Sequence, residues 1–318
     1  MQMERRLNSV SALFKEGKAL FHNFNELLES AKKLRRATIS VAAAQEEGVL
    51  EAVKMAEENG LAQAILVGDE KLIRPMMKKI GLSNHTAVIN VADPDEAALG
   101  ATQLVHDGEA QILMKGLINT SNFLRAVLNH DKGLRSGHIL NHFAAFEIPG
   151  EKKLVFHSDG GMNVAPDLEQ KKEILINSIQ ALQTLGIARP KVALLAANEQ
   201  VNAKMQATVD AAELVDMARR GELPDCEIEG PMSMDVAVNR ESAIHKQINS
   251  KIAGDVDLFI FPTIEAGNIV AKTLIEYAKA KNAGIILGAT HPVVMVSRSH
   301  QAESKLNSLA LASLVAQH

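Results

Sequence analysis

The 318-residue chain has one cysteine, Cys226, one tyrosine and no tryptophan. A single cysteine excludes a disulfide framework and a thiolate zinc cluster, and it fits a reducing cytoplasm. Aromatic residues are 3% of the chain and the formal net charge is -4, so the basic stripe with interleaved aromatics that grips nucleic acid is missing. No apolar run approaches the ~20 residues that span a bilayer, so no membrane partner is expected. The 11 histidines lack ligand spacing with a third partner, which leaves no metal site to expect. G-x-G-x-x-G, G-x-x-x-x-G-K-[ST] and G-x-S-x-G are also absent, which weakens dinucleotide, nucleoside-triphosphate and serine-hydrolase readings.

What remains is an ordinary globular composition, 47% hydrophobic and 23% charged, long enough for two domains. The first residues, 1–24, mix Arg5, Arg6, Lys15 and Lys18 with Leu7, Val10, Leu13 and Phe14. Glu4 and Glu16, and a continuous run into a further helical segment, favour a structural helix over a transit peptide.

From Thr38 onward, short apolar runs alternate with helical patterns. Strands are expected at 38–43, 63–67, 86–91 and 110–114, with helices at 47–59, 70–80, 95–106 and 119–128. Such alternation implies a parallel sheet with right-handed crossovers. Periodicity fails over 129–149, where a domain boundary is expected. A second series then runs through strands at 153–157, 192–196, 226–229, 257–261 and 284–287, interleaved with helices, and ends in a terminal helix near His300.

Five segments carry candidate chemistry. Lys115 to Arg125 is a strand end, a glycine, and then Asn119, Thr120 and Ser121 opening a helix, which suits an anion cradle. Its alternative is a solvated helix whose Arg125 touches nothing. His157 to Pro166 follows a strand with two glycines that let backbone approach a ligand, and Ser158 and Asn163 stand beside them. A simple Asp-Gly turn would look the same. Glu229 to Asp235 offers a rigid turn and one aspartate, equally a helix cap. Pro262 to Asn268 breaks an apolar strand and launches a helix, placing Glu265, Gly267 and Asn268 where open α/β sheets hold ligands; Glu265 and Asn268 also read as caps. Ser297 to Ser304 is the densest polar cluster, with Arg298 suited to a phosphate, Ser297 to a tetrahedral centre and Glu303 to a base, or else a capping box.

In this order and spacing, the segments resemble the phosphate acetyltransferase and phosphate butyryltransferase family. The Glu-Ala-Gly-Asn turn at 265–268, the Met-Asn-Val-Ala-Pro turn at 162–166 and the Ser297-Arg298 pair carry the resemblance. The stretch from Asn119 to Arg125 and Lys-Leu-Asn-Ser-Leu-Ala at 305–310 are more similar to the butyryltransferase branch.

The resemblance implies reversible transfer of a short acyl group between coenzyme A and inorganic phosphate. Acyl-CoA, phosphate and acyl phosphate are then the partners, with no metal and no redox cofactor. It implies a fold similar to the isocitrate and isopropylmalate dehydrogenases, an α/β, two-domain, parallel-sheet sandwich. Residues 1–135 with 289–318 would form the first domain and 136–288 the second, with the active-site cleft between them and the enzyme a homo-oligomer. Arg298 would hold the phosphoryl group, Ser297 would stabilise the oxyanion, and Arg125 would be a second cation. Lys115, Asn119, Thr120, Ser121, Ser158, Asn163, Glu265, Gly267 and Asn268 would bind substrate.

One departure concerns the base. The acetyltransferase branch has two adjacent acidic residues after Ser-Arg, whereas this chain has Glu303 followed by Ser304. On a helix, a one-residue shift turns a side chain by about 100°. Two further readings stand beside the leading one: a coenzyme A or acyl-phosphate binding protein without chemistry, and a metal-dependent decarboxylating dehydrogenase on the same fold. The second needs an acidic metal cluster and a nicotinamide site that the sequence does not offer.

Overall fold

The computed structural model describes residues 21–296 and 301–316. The expected helix over the first residues, up to position 20, lies outside them. The described chain is an α/β protein with mostly parallel strands, dividing into two compact units, 150–273 with 21–22, and 23–149 with 274–296 and 301–316.

In the second of these units, α1 (Phe24–Lys32) leads into a regular series of β1 (Ala37–Ala42), α2 (Glu47–Glu58), β2 (Ala62–Gly68), α3 (Glu70–Ile80), β3 (Ala87–Asn90), α4 (Pro94–His106), β4 (Ile112–Lys115) and α5 (Thr120–Val127). β1 pairs in parallel with both β2 and β4, and β2 with β3. All four β4 residues and five of six in β1 are buried, as expected of strands covered on both faces, which is why these runs do not alternate. Helix starts follow local chemistry. Asp93 accepts from Asp95 N and Glu96 N, both at 2.9 Å, and Pro94 fills the first helical position, where its missing N–H costs nothing.

The same unit contains β5 (Asn141–Glu147), within the stretch whose periodicity fails in the sequence. It pairs antiparallel with β10 (Lys281–Leu287), which in turn pairs antiparallel with β11 (Val293–Val294); β11 returns to parallel pairing with β4. The terminal helix α11 (Ala302–Val315) is buried without interruption from Lys305 to Leu314 and packs on β10, α1 and α2. Two of its buried serines, Ser308 and Ser313, bond to the main chain of the preceding turn. Ser308 Oγ donates to Ser304 O at 2.7 Å and accepts from Gly284 N at 2.9 Å. Phe123, Phe143 and Phe146 are fully buried here, each contributing roughly 1.5–3 kcal/mol by leaving water.

The other unit is a four-stranded parallel sheet ordered β6 (Val155–Ser158), β9 (Leu258–Ile260), β7 (Lys191–Leu195), β8 (Glu227–Met232). Helices α6 (Leu168–Thr184), α7 (Gln206–Arg219), α8 (Met234–Val238), α9 (Arg240–His245) and α10 (Ile264–Glu276) accompany it. Asp167 and Gln170 form a reciprocal capping box at the start of α6. Two buried ion pairs hold the unit, Lys171 with Asp210 at 2.6 Å and Lys153 with Asp257 at 2.5 Å.

Candidate active site

In the unit of residues 150–273, the turn after β6 and the start of α10 meet. The β6 strand ends at Ser158, which is fully buried and offers no surface to a ligand. Asp159, 3% exposed, turns its carboxylate inward onto its own loop. Oδ1 accepts from Gly161 N at 2.8 Å and Met162 N at 3.0 Å, while Oδ2 accepts from Asn163 N at 3.1 Å and Asn163 Nδ2 at 2.6 Å. Asn163, expected to meet a ligand, is thus held by Asp159, which the sequence marks only as part of an Asp-Gly turn.

Helix α10 begins at Ile264, earlier than the sequence pattern indicates, so Glu265, Gly267 and Asn268 lie in its first turns and not in a loop ahead of it. Glu265 and Asn268 are exposed. Gly267 is buried where a Cβ would sit 2.7 Å from Asp159 O and 2.8 Å from Gly160 Cα. Only glycine allows that approach. Asn268 Nδ2 donates to Gly160 O at 3.2 Å, and Ile264 N donates to Val164 O at 3.0 Å. The two segments therefore form one interlocked wall. Beside it lies a cavity of about 850 Å³ whose lining includes Ala165, Pro166, Val201, Lys171, Pro262 and Thr263, most of them apolar.

At the carboxyl end of β8, Asp235 does not cap α8. Its carboxylate accepts from Ser233 Oγ at 2.6 Å and pairs with Lys246 at 2.9 Å, and Glu199 takes a hydrogen bond from the same serine and pairs with Lys246 at 3.1 Å. The Ser233 hydroxyl first, then the Lys246 ammonium, hold Asp235 down to about 2, and Asp235 and Glu199 raise Lys246 above its ordinary range. A lysine held protonated is no general base, so this cluster ties loops together. Cys226 is no nucleophile either, since burial and then the Asp225 charge push its thiol up to about 11.

In the unit containing 23–149, Lys115 closes β4 and is buried, its Nζ donating to Gly116 O at 3.4 Å. Asn119 caps α5, accepting from Asn122 N at 3.1 Å and Ser121 Oγ at 3.0 Å. Thr120 and Ser121 are exposed in the first turn. Arg125 is exposed in the last turn and makes no ion pair among the described residues. Lys115 thus ends the strand, Asn119, Thr120 and Ser121 open the helix, and Arg125 lies in the helix's last turn.

The phosphate acetyl/butaryl transferase family model matches residues 23–99 and 94–313. The chain belongs to this family. Phosphate butyryltransferase of Clostridium acetobutylicum is 43% identical over 298 residues, 93% of this chain and 99% of its own length. Phosphate acetyltransferase of Thermotoga maritima is 36% identical over 293 residues, 92% of this chain and 100% of its own. Among solved structures, a branched-chain phosphotransacylase from Enterococcus faecalis superimposes with a TM-score of 0.77 at 33% identity, covering 89% of this chain and 99% of its own.

Of the residues that the family resemblance marks for chemistry, Ser297 and Arg298 lie outside the described residues. Glu303 lies in the first turn of α11, half-exposed, with its carboxylate 2.8 Å from Lys281 Nζ. That contact raises the Lys281 ammonium above its ordinary range. Ser304, standing where the acetyltransferase branch has its second acid, donates to Asn282 Oδ1 at 3.1 Å. The Lys-Leu-Asn-Ser-Leu-Ala run at 305–310 is wholly buried in α11, so its residues serve packing. No helix among the described residues is long and apolar enough to cross a membrane.

Proposed function

We propose that this transferase moves a short acyl group reversibly between coenzyme A and inorganic phosphate, with butyryl or a related chain as the acyl group. The observation that carries this is the match along nearly the whole chain to a phosphate butyryltransferase, closer in identity (43%) than to the acetyltransferase named above (36%). No metal or redox cofactor takes part, and the enzyme works as a cytoplasmic homo-oligomer. Its fold is of the isocitrate and isopropylmalate dehydrogenase type, a reading supported by two α/β units and by the chain's return from the second series of strands to β11 and α11 beside the first.

In the acyl-CoA-forming direction, the coenzyme A thiol loses its proton, its sulfur attacks the carbonyl carbon of the acyl phosphate, and the C–O bond to phosphate breaks with the electron pair leaving on phosphate. Arg298 holds the phosphoryl group and Ser297 donates to the developing oxyanion. Arg125 and Lys115 add the local positive charge that a chain of net charge -4 does not supply at long range. Asn119, Thr120 and Ser121 present donors at the start of α5, and Asn163, Glu265, Gly267 and Asn268 also bind substrate, with Ser158 supporting their turn from within β6. Glu303 acts as the base that takes the thiol proton. Its carboxylate lies 2.8 Å from Lys281 Nζ, and Glu303→Gln tests the role.

Phosphorus NMR of enzyme with butyryl-CoA and phosphate tests the reading directly. An acyl phosphate resonance growing as free thiol appears supports it. Tight binding of acyl-CoA with no new resonance would support a binding protein without chemistry.

A further inference from the structure

We infer that Asp159 is a positioning residue that sorts the substrate: its carboxylate fills the anion pocket of its own turn, closing that turn to phosphate and setting it for the coenzyme A side. The inference rests on the acyl-transfer reading above. Three successive backbone N–H groups, starting at the second glycine of a pair and close after the carboxyl end of a parallel strand, form a concavity that ordinarily draws in a phosphate. Here Gly161 N, Met162 N and Asn163 N converge at 2.8, 3.0 and 3.1 Å on the carboxylate of Asp159. Asn163 Nδ2 adds a fourth donor at 2.6 Å. An anion therefore already occupies the nest, and it is nine-tenths buried, so a phosphate approaching the same donors meets none of them and a like charge.

The turn cannot easily open to change this. Gly267 lies so close that a Cβ would reach 2.7 Å from Asp159 O, and Asn268 Nδ2 holds Gly160 O at 3.2 Å. The adjoining cavity carries the same electrostatic sign. Asp167, Asp210, Glu213 and Asp216 line it with Lys171 as the one lining cation, and that lysine is 2.6 Å from Asp210. Its walls are otherwise largely apolar, including Pro166, Val201 and Pro262. Such a surface suits the uncharged amide and acyl portions of an acyl-CoA and rejects inorganic phosphate. The cationic segment at Lys115 and Arg125 is suited to the reverse.

Steady-state kinetics of Asp159→Asn separates this role from general support of the fold. The substitution keeps the shape but puts a donor where the loop needs an acceptor. The Michaelis constant for butyryl-CoA is expected to rise by about tenfold while that for phosphate stays within about twofold. Equal rises in both constants, a rise for phosphate alone, or no change in either would overturn the inference. If Asp159→Asn does not fold, Asn163→Ala decides instead, because it leaves the backbone bonds to Asp159 and removes the side chain they orient. It should raise the butyryl-CoA constant alone, and wild-type constants would overturn the inference. A wild-type enzyme without phosphate-dependent thiol release would sink the functional reading, whereas an active wild type with an unaffected Asp159→Asn variant would sink only the role of Asp159.

Discussion

Glu303 is the residue whose role turns most on its surroundings. In the first turn of α11, it is 2.8 Å from Lys281 Nζ, a contact that orients it. If it takes the thiol proton, Glu303→Gln lowers kcat by more than it changes either Michaelis constant. Near-normal turnover in that variant would remove Glu303 from the role. Asn268, proposed to bind substrate, is exposed but tied to Gly160 O at 3.2 Å. Asn268→Ala is expected to raise a Michaelis constant by severalfold with kcat largely kept, and unchanged constants for both substrates would count against its placement. The turn that launches Asn268's helix was legible in the sequence because a proline ends an apolar strand just before it, at the carboxyl end where α/β proteins bind ligands. Asp159 was not, because an aspartate before two glycines reads as a turn, and nothing in the spacing says that the loop folds back onto its carboxylate.

At the scale of elements, Gly267 joins the start of α10 to the turn after β6. Gly267→Ala forces the helix away from Asp159 and Gly160, since a Cβ there would lie 2.7 and 2.8 Å from backbone atoms. The expected result is a cost of about 1–3 kcal/mol in unfolding free energy together with weaker substrate binding, checked by denaturant unfolding and by kinetics. A fully stable, fully active variant would show that the two segments need not touch. The order of elements was readable because buried parallel strands give unbroken apolar runs. β5 was not, since Asn141 and His142 open it between stretches rich in glycine, and its register is fixed by β10, more than a hundred residues later. The burial of α11 was equally hidden. Lys305, Asn307, Ser308 and Ser313 interrupt its apolar pattern, yet all are buried, with the serines bonded to main chain.

For the molecule as a whole, acid sensitivity follows from the clasped carboxylates. Asp235, ordinarily at 3.8, is held at about 2 by Ser233 and Lys246, and Glu222, ordinarily at 4.5, is held at about 2 by Lys172 and then Arg220. Folding depresses both, so their contribution is complete above the unfolded values and is lost as pH falls from about 4 towards about 2. Both are solvent-exposed, so the effect is small and screened by salt. Lys246→Met should flatten part of the fall in melting temperature across that window at low salt, and an unchanged pH profile would contradict the assignment. The central claim is the reaction itself. The most direct measurement is free-thiol release from butyryl-CoA with and without phosphate, repeated in the presence of a chelator. Release that requires phosphate and survives the chelator is the predicted result; no phosphate-dependent release, or release abolished by the chelator, would contradict it.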